Sequence, residues 1–160
     1  MRRKGSRQVL NQKVMKNKGL ILITGATGYI GSHTVVELIN AGYDVIGADN
    51  FYNSTAKVLD GIKKIVGFNI KFEEVDCSDY KAFEKVFVKY PDIVGAIHFA
   101  ACKAVGESIE KPLLYYRNNI VSLLNLIELM NKKAKQANIV FSSSCTVYGQ
   151  PDVLPVDEKA

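Results

Sequence analysis

Three glycines spaced three apart, in Thr24-Gly25-Ala26-Thr27-Gly28-Tyr29-Ile30-Gly31, follow directly on the apolar run Leu20–Thr24 and open a stretch of helical periodicity. A strand that turns into a helix at glycines presents free backbone N–H groups and the positive end of the helix dipole, which is the chemistry of phosphate binding. Gly25 permits the tight turn, Gly28 lets backbone approach a pyrophosphate, and Gly31 lets the helix pack closely on its strand. The spacing G-x-x-G-x-x-G departs from the commoner G-x-G-x-x-G, and such glycines also occur in ordinary turns. The strand before them and an acid after them sharpen the reading. That acid is Asp49, 18 residues beyond Gly31 at the end of the next apolar run, placed to accept hydrogen bonds from adenosine ribose hydroxyls. A carboxylate there repels a 2′-phosphate, and no Lys or Arg lies between Asp49 and Ala56 to offset it. NAD is therefore favoured over NADP, with a capping or turn aspartate as the alternative role for Asp49.

Such a site must be held by alternating strands and helices. The strand candidates are Leu20–Thr24, Asp44–Asp49, Ile70–Val75, Ile93–Phe99 and Asn138–Ser142, several of them nearly continuous apolar runs, as parallel strands buried on both faces require. Between them the pattern predicts helices at Ile30–Asn40, closed by Gly42; at Thr55–Val66, opened by Ser54 and closed by Gly67; at Asp79–Lys89, capped by Ser78; and at Pro112–Lys133, with Pro112 in its first turn. Tyr80, Phe83, Val86 and Phe87 share one face of the third. The alternation predicts an α/β fold, a doubly wound parallel sheet of Rossmann type.

Composition sets the limits. The 160 residues are 48% apolar and 23% charged, enough for one well-buried core and against disorder throughout. No uncharged apolar stretch approaches the roughly 20 residues of a spanning helix, so no membrane partner is expected. The net charge of +5 is uneven: residues 1–19 hold seven basic side chains and no acid, whereas residues 20–160 hold 14 basic and 16 acidic ones. The basicity belongs to an extension rather than the domain, and no nucleic-acid partner is expected. Residues 1–19 are read as a solvated extension and residues 20–160 as the domain. Cys77, Cys102 and Cys145 lie far apart without C-x-x-C spacing, which argues for a reduced, cytoplasm-like compartment without a structural metal.

Further signatures follow the strands: Asp76-Cys77; His98-Phe99-Ala100-Ala101; Lys103-Ala104-Val105-Gly106-Glu107-Ser108; Tyr115-Tyr116-Arg117-Asn118-Asn119; and Phe141-Ser142-Ser143-Ser144-Cys145-Thr146-Val147-Tyr148-Gly149. With the glycine turn and Asp49-Asn50 they make the chain resemble, from about Leu20 onward, the amino-terminal half of the UDP-glucose 4-epimerases, extended short-chain dehydrogenases/reductases. The resemblance implies that Tyr29 and Ile30 line the pyrophosphate turn. It places Asp49, Asn50, Phe51, Tyr52, Asn53 and Ser54 at the adenosine ribose, and Asp76 and Cys77 at the adenine. Phe99, Ala100, Ala101 and Lys103 fall along the nicotinamide half, with Asn118 nearby, and Ser144 at the sugar's 4-hydroxyl. It also implies UDP-glucose and UDP-galactose as substrates, galactose metabolism as setting, and a homodimer for the full-length protein. Ala101 stands where the family usually has glycine, Cys102 where it has leucine, and Cys145 where it has alanine. Cys102 can act as a small apolar residue and Cys145 as a buried thiol. His98 is read as a satisfied core or cofactor-edge histidine and His33 as a packing residue, whereas Lys103 follows a strand end on the ligand side of the sheet.

The family's chemistry uses a Tyr-x-x-x-Lys pair, the tyrosine as base and the lysine lowering its pKa. No tyrosine of this sequence has lysine four positions on. The 160 residues are therefore expected to be nearly inactive alone, to lack the last strands of the sheet, and to expose a sheet edge or apolar surface. Two other readings stay open: a related nucleotide-sugar 4,6-dehydratase, disfavoured because Thr146 is followed by Val147-Tyr148 rather than Asp-Glu, and a non-enzymatic NAD-binding module.

Overall fold

The computed structural model describes residues 18–134, 137–150 and 154–157. All but Lys18 and Gly19 of the basic extension lie outside the described residues. Lys18 already belongs to the fold, its amide donating to the Gly42 carbonyl (3.1 Å) and its ammonium lying over the Tyr43 ring.

Five parallel strands form one sheet: β1 (Leu20–Thr24), β2 (Asp44–Asp49), β3 (Lys71–Glu74), β4 (Ile93–His98) and β5 (Asn138–Phe141), in the order β3-β2-β1-β4-β5. The order reverses between β1 and β4, the switch point at which open α/β sheets form a crevice beyond their carboxyl ends. Side chains alternate across β1, so Leu22 and Ile23 serve opposite layers. Leu22, Ile46 and Ala96 pack with Phe83, Val86 and Phe87 of α3 (Tyr80–Lys89) and Leu126, Leu129 and Met130 of α6 (Ser122–Lys133). Ile23 and Val45 pack with Val35 and Val36 of α1 (Tyr29–Asn40) and Ile62 of α2 (Lys57–Val66). The sheet is thus doubly wound, as its alternation of elements requires. β5 is an edge strand with Val140 and Phe141 half exposed, the exposed edge expected from the sequence.

Three local expectations change. Ser54 does not cap α2, which begins two residues later than Thr55 without a side-chain cap, because the Ser54 hydroxyl is held by Thr27 Oγ1 at 2.6 Å. Ser78 does not cap α3. Its amide and hydroxyl turn back to Asp76 Oδ1, and Asp79 caps instead by accepting from the Ala82 amide. The segment 112–133 is not one α-helix: α5 (Pro112–Tyr116) passes through a π-helical turn at Arg117–Val121 into α6, and a six-residue α4 (Val105–Glu110), which periodicity is too short to reveal, precedes it. Among the described residues no helix is long and apolar enough to cross a membrane.

Candidate functional site

The glycine turn sits where β1 meets the end of β4. Gly25 has φ +68°, and a Cβ there would lie 2.7 Å from the Ala100 amide nitrogen and 2.8 Å from the Phe99 carbonyl carbon. Only glycine combines that left-handed backbone with so close an approach. Gly31 is buried, and a Cβ on it would fall on the Gly25 carbonyl, so the helix rests directly on the turn. Gly28 is the N-cap of α1 and supplies no side-chain acceptor. The first-turn amides, which have no intrahelical carbonyl to reach, remain available to an anion.

Asp49 has the turn role that the sequence allowed, and it also lines the cleft. Its Oδ2 accepts from the Thr27 amide (3.0 Å) and its Oδ1 from the Phe51 amide (2.9 Å), so it ties the glycine turn to β2 while still lining the cleft. Phe51, pulled into an Asx turn, takes φ +57° and stacks on Phe72 instead of entering the cleft. The Tyr52 hydroxyl donates to Glu107 Oε1 (3.2 Å), joining the loop after β2 to α4 across the cleft. Glu107 also accepts from Lys111 and the Tyr115 hydroxyl, and these hydrogen bonds, Lys111 first, hold its carboxyl below the usual range.

The opposite wall depends on two asparagines that residue patterns alone did not single out. Asn119 pairs with Cys102 in both directions: its Oδ1 accepts from the Cys102 amide (2.7 Å) and its Nδ2 donates to the Cys102 carbonyl (3.0 Å). Asn125 Nδ2 donates to the carbonyls of Cys77 and Ser78, both at 3.0 Å. Asn119→Ala would leave a partly buried amide and carbonyl without partners, so a loss of about 2–3 kcal/mol is expected by urea unfolding. A loss under about 0.5 kcal/mol would show that the clamp is dispensable.

These walls line a cleft of about 100 Å³ that is open to solvent. Gly25, Gly28, Asp49, Asn50, Tyr52, Asn53, Ser54, Asp76, Cys77, Phe99, Ala100, Ala101 and Asn118 line it, joined by Val75, Cys102 and Ser122. Burial pushes both cleft thiols up, and nearby carboxylates add to it, Asp76 at Cys77 and Glu107 at Cys102. Tyr29 (83% exposed) and Ile30 point their side chains outward, so only their amides face an anion. Lys103 is exposed and does not line the cleft. Ser144 lies beyond β5, outside the cleft, its Oγ accepting from the amide and hydroxyl of Thr146.

His98 is the satisfied core histidine expected, buried and held by Thr24 and Ser122. His33 is not packed: it is exposed on α1, edge-on to Tyr29. The Cys145 side chain lies outside the described residues. Among the described residues no group of His, Cys, Asp or Glu could hold a metal.

Residues 22–160 match the GDP-mannose 4,6 dehydratase family. The chain belongs to that family. Its relatives include the UDP-glucose 4-epimerase of Haemophilus influenzae, 51% identical over 138 residues, which are 86% of this chain and 40% of that protein. The UDP-glucose 4-epimerase of Homo sapiens is 46% identical over 144 residues, 86% of this chain and 41% of that one. The crystal structure of the UDP-glucose 4-epimerase from Bifidobacterium longum in complex with NAD+ and UDP superposes with a TM-score of 0.82 at 45% identity, over 88% of this chain and 41% of that one. The chain spans about 40% of the length of the curated relatives it matches. The relatives are thus those the motifs pointed to, and the fold is theirs over their matched part.

Proposed function

We propose that these residues form the dinucleotide-holding part of a UDP-glucose 4-epimerase, which interconverts UDP-glucose and UDP-galactose. The observation that carries this is the cleft itself, in a chain about half identical to such epimerases: a glycine turn and Asp49 on one side, and no Lys or Arg among its lining residues. The chemistry of its lining suits a dinucleotide. The uncapped first turn of α1, with Gly25, Gly28 and the amides of Tyr29, Ile30 and Gly31, takes the pyrophosphate. Asp49 with Asn50, Tyr52, Asn53 and Ser54 takes the adenosine ribose, Asp76 and Cys77 the adenine, and Phe99, Ala100, Ala101 and Asn118 the nicotinamide half. Bound NAD supplies a hydride acceptor and donor for C4 of the sugar. Ser144 acts as the catalytic serine: Thr146 already donates to its oxygen, so its own proton is free to be donated to the sugar's 4-hydroxyl or its oxidised form. Val147-Tyr148 after Thr146, in place of Asp-Glu, disfavour dehydration.

The apolar series Ile109, Leu113, Tyr116, Ile120, Leu124 and Ile127, all exposed along α4 to α6, supports a homodimer of the full-length protein. The two free buried thiols, Cys77 and Cys102, support a reducing, cytoplasmic setting.

The test is calorimetry of the 160-residue chain with NAD and NADP, followed by UDP-glucose turnover on the same sample. Saturable NAD binding, NADP weaker by about tenfold or more, loss of binding in Asp49→Ala and no turnover are expected. Because that substitution also frees the Thr27 and Phe51 amides, its thermal unfolding is measured beside it. Absence of NAD binding by a cooperatively folded chain would sink the reading, and turnover would show that a Tyr-x-x-x-Lys pair is not required.

A further inference from the structure

One polar group on the cleft wall has no part in the roles above. Ser122, the first residue of α6, is 2% exposed yet lines the cleft, one turn beyond Asn118 on the same wall. Among the described residues its hydroxyl has a single partner, His98 Nε2 at 3.4 Å. The direction of that bond follows from the other end of the ring. Thr24 is completely buried, and its Oγ1 accepts from the Ala100 amide (3.4 Å) and meets His98 Nδ1 at 2.7 Å. A buried hydroxyl must place its proton on an acceptor, and Nδ1 is the one within reach. His98 therefore carries its own proton on Nε2 and donates it to Ser122 Oγ. That leaves the Ser122 proton without a protein acceptor among the described residues and with the cleft as its destination.

We infer that Ser122 is a dinucleotide-binding residue, its hydroxyl aimed by the Thr24–His98 pair to donate to a ribose or pyrophosphate oxygen of the bound cofactor. The inference rests on the dinucleotide reading of the cleft and adds to it a contact and a positioning role for His98. His98 serves this role as a neutral ring. Burial, reinforced by the charge of Lys103, lowers its pKa to about 4, so at neutral pH it has one proton to give and one lone pair to receive Thr24.

Ser122→Ala removes the donor and leaves the helix start intact. Calorimetry should show NAD binding weakened about tenfold, the size of one lost hydrogen bond to a strong acceptor, with the thermal midpoint shifted by only a few degrees. AMP and ADP-ribose titrations locate the oxygen: weakening already present with AMP assigns it to the adenosine half, and weakening confined to ADP-ribose and NAD assigns it beyond. Equal affinities for all three ligands in both proteins would overturn the contact alone, whereas no binding by either protein would sink the dinucleotide reading and the contact with it. Nitrogen-15 NMR of the ligand-free chain tests the orientation separately: His98 protonated on Nε2 supports it, and His98 protonated on Nδ1 overturns it.

Discussion

Gly25→Ala should abolish dinucleotide binding and destabilise the fold by about 3 kcal/mol or more. Two costs combine. A left-handed backbone costs an L-residue roughly 1–2 kcal/mol, and the new methyl meets backbone atoms of Ala100 and Phe99 at 2.7 and 2.8 Å, which cannot swing aside as a side chain would. Overpacking of that kind adds roughly 1–3 kcal/mol. Gly67 separates the two costs. It closes α2 at φ +88°, and a methyl added there would have nothing within 4 Å, so Gly67→Ala should lose only about 1 kcal/mol and bind NAD normally. Urea unfolding and calorimetry on both variants check this, and a Gly25→Ala chain that still bound NAD within a few-fold would refute the role given to the turn.

The second large effect is acid sensitivity from His98. Its pKa in the folded chain is lowered from the ordinary 6.5 to about 4, by burial first and then by Lys103. Between those two values the unfolded chain takes up a proton that the folded chain refuses. The stability contribution is therefore complete above pH 6.5, falls as the pH drops toward 4, and is constant below that. The whole change amounts to about 3 kcal/mol. Urea unfolding at about pH 7.5, 5.5 and 4 should show it in the parent protein and not in His98→Gln, whose uniform destabilisation leaves the pH slope to be compared. Parallel curves would mean that the ring is charged in the native state or solvated enough not to matter.

Elements set by period and punctuation were legible in the sequence. The β-branched runs marked all five strands to within a residue or two, and Tyr80, Phe83, Val86 and Phe87 marked the inner face of α3, because burial on a regular element leaves a regular trace. The glycine turn and Asp49 were legible for the same reason: their chemistry is fixed by position relative to a strand end. Side-chain competition was not legible. Ser54 and Ser78 both look like caps, and which of Thr27, Asp76 or a helix start wins a hydroxyl is decided by distances that exist only in the folded chain. The clamping roles of Asn119, present only as the end of a signature, and of Asn125 were missed because an amide that clamps another segment's backbone has no local pattern. The one available signal was a polar residue on an otherwise apolar helix face. The contact proposed for Ser122 was likewise not legible, since it rests on hydrogen-bond directions relayed from Thr24, 98 positions away in the sequence.

The π-helical turn at Arg117–Val121 gives the cleft a dependence on counting. A π turn is an α-helix with one residue too many, and each residue rotates an α-helix by about 100°. The surplus residue sets the phase between α5 and α6, and with it which way Asn118 and Asn119 face relative to Ser122 and Asn125. Any one of the five could be deleted and the helix would close up, regular and continuous, yet everything before the deletion would turn away from its partner across the cleft. Geometry on this wall is thus encoded in segment length more than in residue type. Two chains of this family could agree at every named site residue and still differ in their cleft by a single-residue gap.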